Sequence, residues 1–140
     1  MPPNFHDGFL DGIVLLDEKT AHLFLRAVGG ERYALVAHGV ECLRASNFLL
    51  GNIIFDIEFL EGDQIAESYI PMLYELSPVD IDGQKARLLD LVRRKGLKLI
   101  VLSPSYGAEC LLLAEHWAIE ILSSDIKGAV FGAKPPTSSL

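Results

Sequence analysis

The stretch "NIIFDIEFL" at 52–60 limits the fold more than any other part of this chain. Ile53, Phe55, Ile57 and Phe59 recur at every second position, with Asn52, Asp56 and Glu58 between them. Successive side chains of a strand point to opposite faces, so this spacing predicts a strand with one apolar face. Ile54 and Leu60 are apolar exceptions on the polar face. Such a strand needs partners on both edges and a layer over its apolar side.

The flanking sequence supplies them. "GIVLL" (12–16) is apolar and β-branched, and "DEKT" (17–20) is turn material. "AHLFLRAV" (21–28) and "RYALVAHGV" (32–40) are separated by "GGE" at 29–31. Gly29-Gly30 between two apolar runs predicts a hairpin pairing 21–28 with 32–38, its centre near Gly30. A short strand at 40–43 and then an irregular stretch to Gly51 are expected. Pro71 argues against a central strand and a helix interior, so 66–70 reads as a short edge strand. "SPVD" (77–80) is a helix start, with Ser77 as cap and Pro78 in the first helical position. Gly83 weakens that placement, and Asp80 or Asp82 is the alternative cap. The helix, about 78–95, ends before Gly96 and puts Ile81, Leu88, Leu89 and Val92 on one stripe. "LKLIVLS" (97–103) reads as a strand and "PSYG" (104–107) as a turn. Residues 108–122 fit a helix or two strands, 108–114 and 117–122, and periodicity does not separate the two.

The resulting expectation is one α+β domain over 1–133. Its sheet is mostly antiparallel, either curved or a sandwich, and the helix covers it through Leu88, Leu89 and Val92. Residues 134–140 are expected to be a disordered tail. A chain of 140 residues buries roughly two thirds of its unfolded surface and needs no metal or disulfide staple. Its net charge of −7 repels a phosphate backbone, which argues against nucleic-acid partners. The one dense basic run, "RRKGLK" at 93–98, falls where cations complement a helix C-terminus. Cys42 and Cys110 have no metal-type spacing, and a reduced pair is expected over a disulfide. "MPPNFHDG" lacks the order of a secretory leader, and no apolar run approaches about 18 residues. Cytoplasmic residence without membrane contact is the expectation.

Several candidate sites arise. His6-Asp7 is a metal or catalytic dyad, or else a hydrogen-bonded turn entering the first strand. With the hairpin centred near Gly30, His22 and His38 would face each other. They could then gather a metal with Asp7 or Asp56, as in a two-His-one-carboxylate site. The competing reading is ordinary cross-strand packing. Phe48, Leu49 and Leu50 form an apolar run between turn residues, a contact patch if exposed. Tyr106 is the fourth candidate binding residue, and the structural reading beside it has its ring packed on the core and its hydroxyl anchored to backbone. Ser103 and Ser105 do not sit in a nucleophile elbow, and no phosphate-cradling glycine loop occurs. Catalytic residues and cofactors are therefore expected to be none.

"HDG" (6–8), "HGV" (38–40), "NFLLGNIIFDI" (47–57) and "SYGAE" (105–109) together resemble a group of small, uncharacterised bacterial single-domain proteins. Some of these are grouped loosely with toxin-immunity proteins. The resemblance implies a β-rich domain and favours strands after "SYGAE", hence a hairpin over 108–122. It brings no activity and no catalytic residues.

The leading functional expectation is a non-enzymatic protein-interaction module, either a homodimer or a binder of another protein in the manner of immunity proteins. One rival is a small metal-binding enzyme using His6, Asp7, His22 and His38. Another is a carrier with an apolar pocket inside the sheet.

Overall fold

A computed structural model describes residues 3–122. Six strands, β1 (Phe9–Asp17), β2 (Thr20–Arg26), β3 (Arg32–Ser46), β4 (Asn52–Glu61), β5 (Lys98–Tyr106) and β6 (Glu109–Ile121), form one antiparallel sheet. The sheet closes into a barrel in the order β1-β2-β3-β6-β5-β4. Three strands meander. The chain then crosses to β4 beside β1 and returns through β5 and β6 to β3, a Greek-key path. With the helices on one side, the fold is α+β, as expected. The curved sheet closes on itself and does not split into a sandwich.

Alternation fills the barrel. Ala21, Leu23 and Leu25 of β2 point inward, and Thr20, His22, Phe24 and Arg26 point outward. Leu10, Leu35, Ile54, Ile100, Leu102 and Leu112 join the inward residues of β2 in the packed barrel core. Leu99, Ile100, Val101 and Leu102 of β5 are all buried. Ile100 and Leu102 face the barrel, while Leu99 and Val101 face a second apolar layer. Burial on both faces is why this strand reads as an unbroken apolar run.

The second layer is α2 (Ile81–Arg94) with the four-residue α1 (Ile70–Leu73). Leu89 and Val92 are buried against Leu99, Val101, Leu111 and Leu113, with Leu88 at the margin. Asp80 caps α2, its carboxylate accepting from Gly83 N–H at 3.3 Å. The helix thus starts three residues later than Ser77-Pro78 suggests, and Ile81 is left exposed. The expected edge strand at 66–70 is instead a 3-10 turn (Glu67–Tyr69) running into α1. Pro71 sits in the first turn of α1, where its missing N–H costs nothing.

Four strand assignments also change. β3 runs unbroken to Ser46, because one extra residue between Val40 and Cys42 is taken up as a bulge, after which pairing with β6 continues. β6 is one 13-residue strand spanning 109–121, neither a helix nor a hairpin. In β4 the register shifts between Ile54 and Asp56. Ile54, Ile57 and Phe59 face inward, and Phe55 is turned to solvent. β5 continues through Pro104 to Tyr106, so the turn lies at 107–108 and not at 104–107. The expected tail at 134–140 lies outside the described residues.

Candidate functional site

Asn52 opens β4 and is the one buried polar side chain among the described residues, with 2% exposure. All of its hydrogen-bonding capacity is used within the chain. Its Oδ1 accepts from Leu49 N–H at 2.8 Å and from Ala108 N–H at 3.0 Å. Its Nδ2 donates to the Leu49 carbonyl at 2.7 Å and to the Leu10 carbonyl at 3.3 Å. One amide therefore joins the 47–51 loop, strand β1 and the β5–β6 turn. Gly107 packs so closely that a Cβ there would lie 2.4 Å from Asn52 Oδ1, at a φ of 87°.

The loop clamped by Asn52 carries Phe48, Leu49 and Leu50, all exposed, with Leu50 at 98%. Tyr106 pairs with Ile53 beside this clamp and is also exposed, so its ring is not packed on the core as expected. The four residues read from sequence as binding residues thus present apolar surface around one hydrogen-bonded hub. Sequence reading missed Asn52 itself, which looked like a polar-face residue of β4. The only signal for it was the "N-F-L-L-G-N" spacing, which lets a second Asn reach back three residues.

The proposed metal set does not assemble. His6 Nδ1 lies 2.6 Å from the Phe55 carbonyl, and its Nε2 is 3.6 Å from the Asp7 carboxylate. Asp7 turns the backbone at φ 65°, and its N–H donates to the Ile54 carbonyl at 2.9 Å. The dyad is an exposed turn that leads the chain into register with β4. With Asp56, Ile57 and Phe59, His6 borders a shallow cleft of about 240 Å³. His22 stands opposite Val14 and Val36, not His38. The hairpin pairs Thr20 with His38 and Arg26 with Arg32, so its centre is at Gly29, one residue before the expected point. His38 meets His116 of β6 instead. Among the described residues no group of three or more His, Cys, Asp or Glu is placed to hold a metal.

Asp17 closes the β1–β2 turn. Its carboxyl is held below the usual range by Lys19 N–H, at 2.8 Å, and by the Thr20 hydroxyl, with a smaller contribution from His38. Both cysteines are free thiols. Burial pushes Cys110 up to about 12, with Glu109 adding to the shift. Burial also raises Cys42, partly offset by a hydrogen bond with Tyr74. A thiol reagent at about pH 8 should therefore label Cys42 slowly and leave Cys110 untouched until denaturant is added. Peptide mapping after labelling checks this, and equal rates at the two sites would contradict the burial of Cys110.

No helix among the described residues is long and apolar enough to cross a membrane. No protein-family model matches this chain, nor does any curated protein or solved structure.

Proposed function

We propose that this chain is a non-enzymatic protein-interaction module whose contact surface is the 47–51 tip with Tyr106 beside it. One observation carries the reading: Phe48, Leu49 and Leu50 are exposed together on a backbone that Asn52 holds fixed. A preorganised apolar tip loses little conformational entropy on docking, which is what makes exposed aromatic and aliphatic groups effective anchors. The apolar side chains packed inside the barrel favour this surface reading over a carrier with an interior pocket. The occupant we favour is a second copy of the chain. Asn47–Gly51 contains no ionisable side chain, so tip-to-tip contact avoids local like-charge repulsion despite the net charge of −7. That charge favours a second reading, a cationic partner in the manner of immunity proteins, in the cytoplasm.

Sedimentation velocity over a concentration series is the test. The wild type should self-associate, and Leu50→Asp should be monomeric with an unchanged far-UV spectrum. A wild type that stays monomeric at the highest concentration overturns the homodimer and leaves the cationic partner as the reading to pursue.

A further inference from the structure

We propose that His38 and His116 form a two-nitrogen chelating site for a divalent transition-metal ion, Cu²⁺ above all, on the outer face of the barrel. The two residues are direct cross-strand partners in the β3–β6 ladder. Their neighbours Ala37 and Trp117, themselves partners, pack into the barrel interior, so both imidazoles project from the opposite face. Both are exposed, and among the described residues neither ring is engaged in a hydrogen bond or ion pair. Directly opposed residues have Cβ atoms about 4.5–5.5 Å apart. Two imidazoles at that separation can converge on one ion at about 2.0–2.1 Å per nitrogen.

The surroundings favour a cation. Thr20 flanks His38 on the β2 side, and Asp17 beyond it carries its charge close enough to act on His38. Glu115 precedes His116 and lies against Gly39. The ladder fixes the two residues opposite each other, so bringing both imidazoles onto one ion needs side-chain rotation and no change of backbone register. The two protein nitrogens leave the remaining coordination positions to water, so the ion would be accessible and exchangeable. Imidazole suits copper, nickel and zinc, and the usual order of stability puts Cu²⁺ first. Of the His6, Asp7, His22, His38 set expected from the sequence, this site keeps only His38, which the register places opposite His116 and not opposite His22.

Calorimetric titration of the full-length protein with Cu²⁺, paired with electron paramagnetic resonance of the loaded protein, tests it. One ion per chain with coupling to two imidazole nitrogens is expected. His38→Ala and His116→Ala should each weaken binding by at least about tenfold, since loss of even an outer-shell partner commonly costs that much. His22→Ala and His6→Ala should leave the affinity unchanged. All four side chains lie on the surface, so the variants should keep the wild-type far-UV spectrum. Retention of wild-type affinity by either His38→Ala or His116→Ala would overturn the proposal, as would a spectrum showing backbone-amide or single-imidazole coordination.

Discussion

Asn52→Asp should lower the free energy of unfolding by about 3 kcal/mol at neutral pH, although it changes one NH₂ to O. The wild-type amide donates to two carbonyls, those of Leu49 and Leu10, and accepts from two N–H groups. A carboxylate keeps the acceptor half and turns its other oxygen against two carbonyl oxygens in a buried site. Its charged form is disfavoured there, so its folded-state pKa is raised above the unfolded value. The deficit relative to wild type should therefore be largest at neutral pH. It should shrink as pH falls through that raised value, because the protonated acid regains one donor. Urea denaturation of both proteins at about pH 7 and pH 5 measures this. A variant within about 0.5 kcal/mol of wild type at both pH values would mean that the clamp does not hold the tip.

Leu112→Ala should cost about 4 kcal/mol and Leu113→Ala clearly less, nearer the lower end of the roughly 2–5 kcal/mol range for such truncations. The two residues are adjacent, of the same type and both fully buried. Leu112 points into the barrel, with Leu43 and Ile100 as its partners on the two flanking strands. Hydrogen-bonded strands on every side hold the wall in place, so a hole inside the ring stays open. Leu113 points the other way, beneath α1 and α2, which rest on the sheet through side chains. A helix carried on side chains can settle toward a missing methyl group, and the residual cavity sets the cost. Paired chemical denaturation curves decide it. An equal or larger loss for Leu113→Ala would show that the helical layer is as rigid as the ring.

Much of the scaffold was legible because it rests on local signals. The apolar runs on either side of Gly29-Gly30 and the stripe of Leu88, Leu89 and Val92 are each read from a few neighbouring residues. The failures come from single-residue shifts that only pairing across strands decides. A bulge at Ile54–Asp56 turned Phe55 outward and brought Ile54 in. A turn centred one residue earlier than expected put Thr20, and not His22, opposite His38. Because the side-chain period in a strand is two, the one-residue slip in β4 exchanges faces, whereas the displaced turn shifts the register by two and exchanges partners only. Phe48, Leu49 and Leu50 could be picked out from their own composition. Their anchor could not, since the groups that satisfy Asn52 come from positions 10, 49 and 108.

The ring is shut between β1 and β4 by two residue pairs, Phe9 with Ile53 and Leu10 with Asn52. Beyond them, among the described residues, the outer edge of β1 from 11 to 17 has no strand partner, and it bears Ile13, Val14, Leu15 and Leu16. Bare apolar edges are where chains polymerise sheet to sheet. Here each end of the segment has a bulge, at Leu10–Gly12 and Leu15–Asp17, and an acidic residue, Asp11 or Asp17. The bulges spoil the flat template an incoming strand would need, and Asp17 adds a charge at one end, while Asp11 at the other is paired with Arg26 at 2.9 Å. Backbone irregularity at the two ends of this segment thus works against fibre growth along an edge that closing the barrel left open.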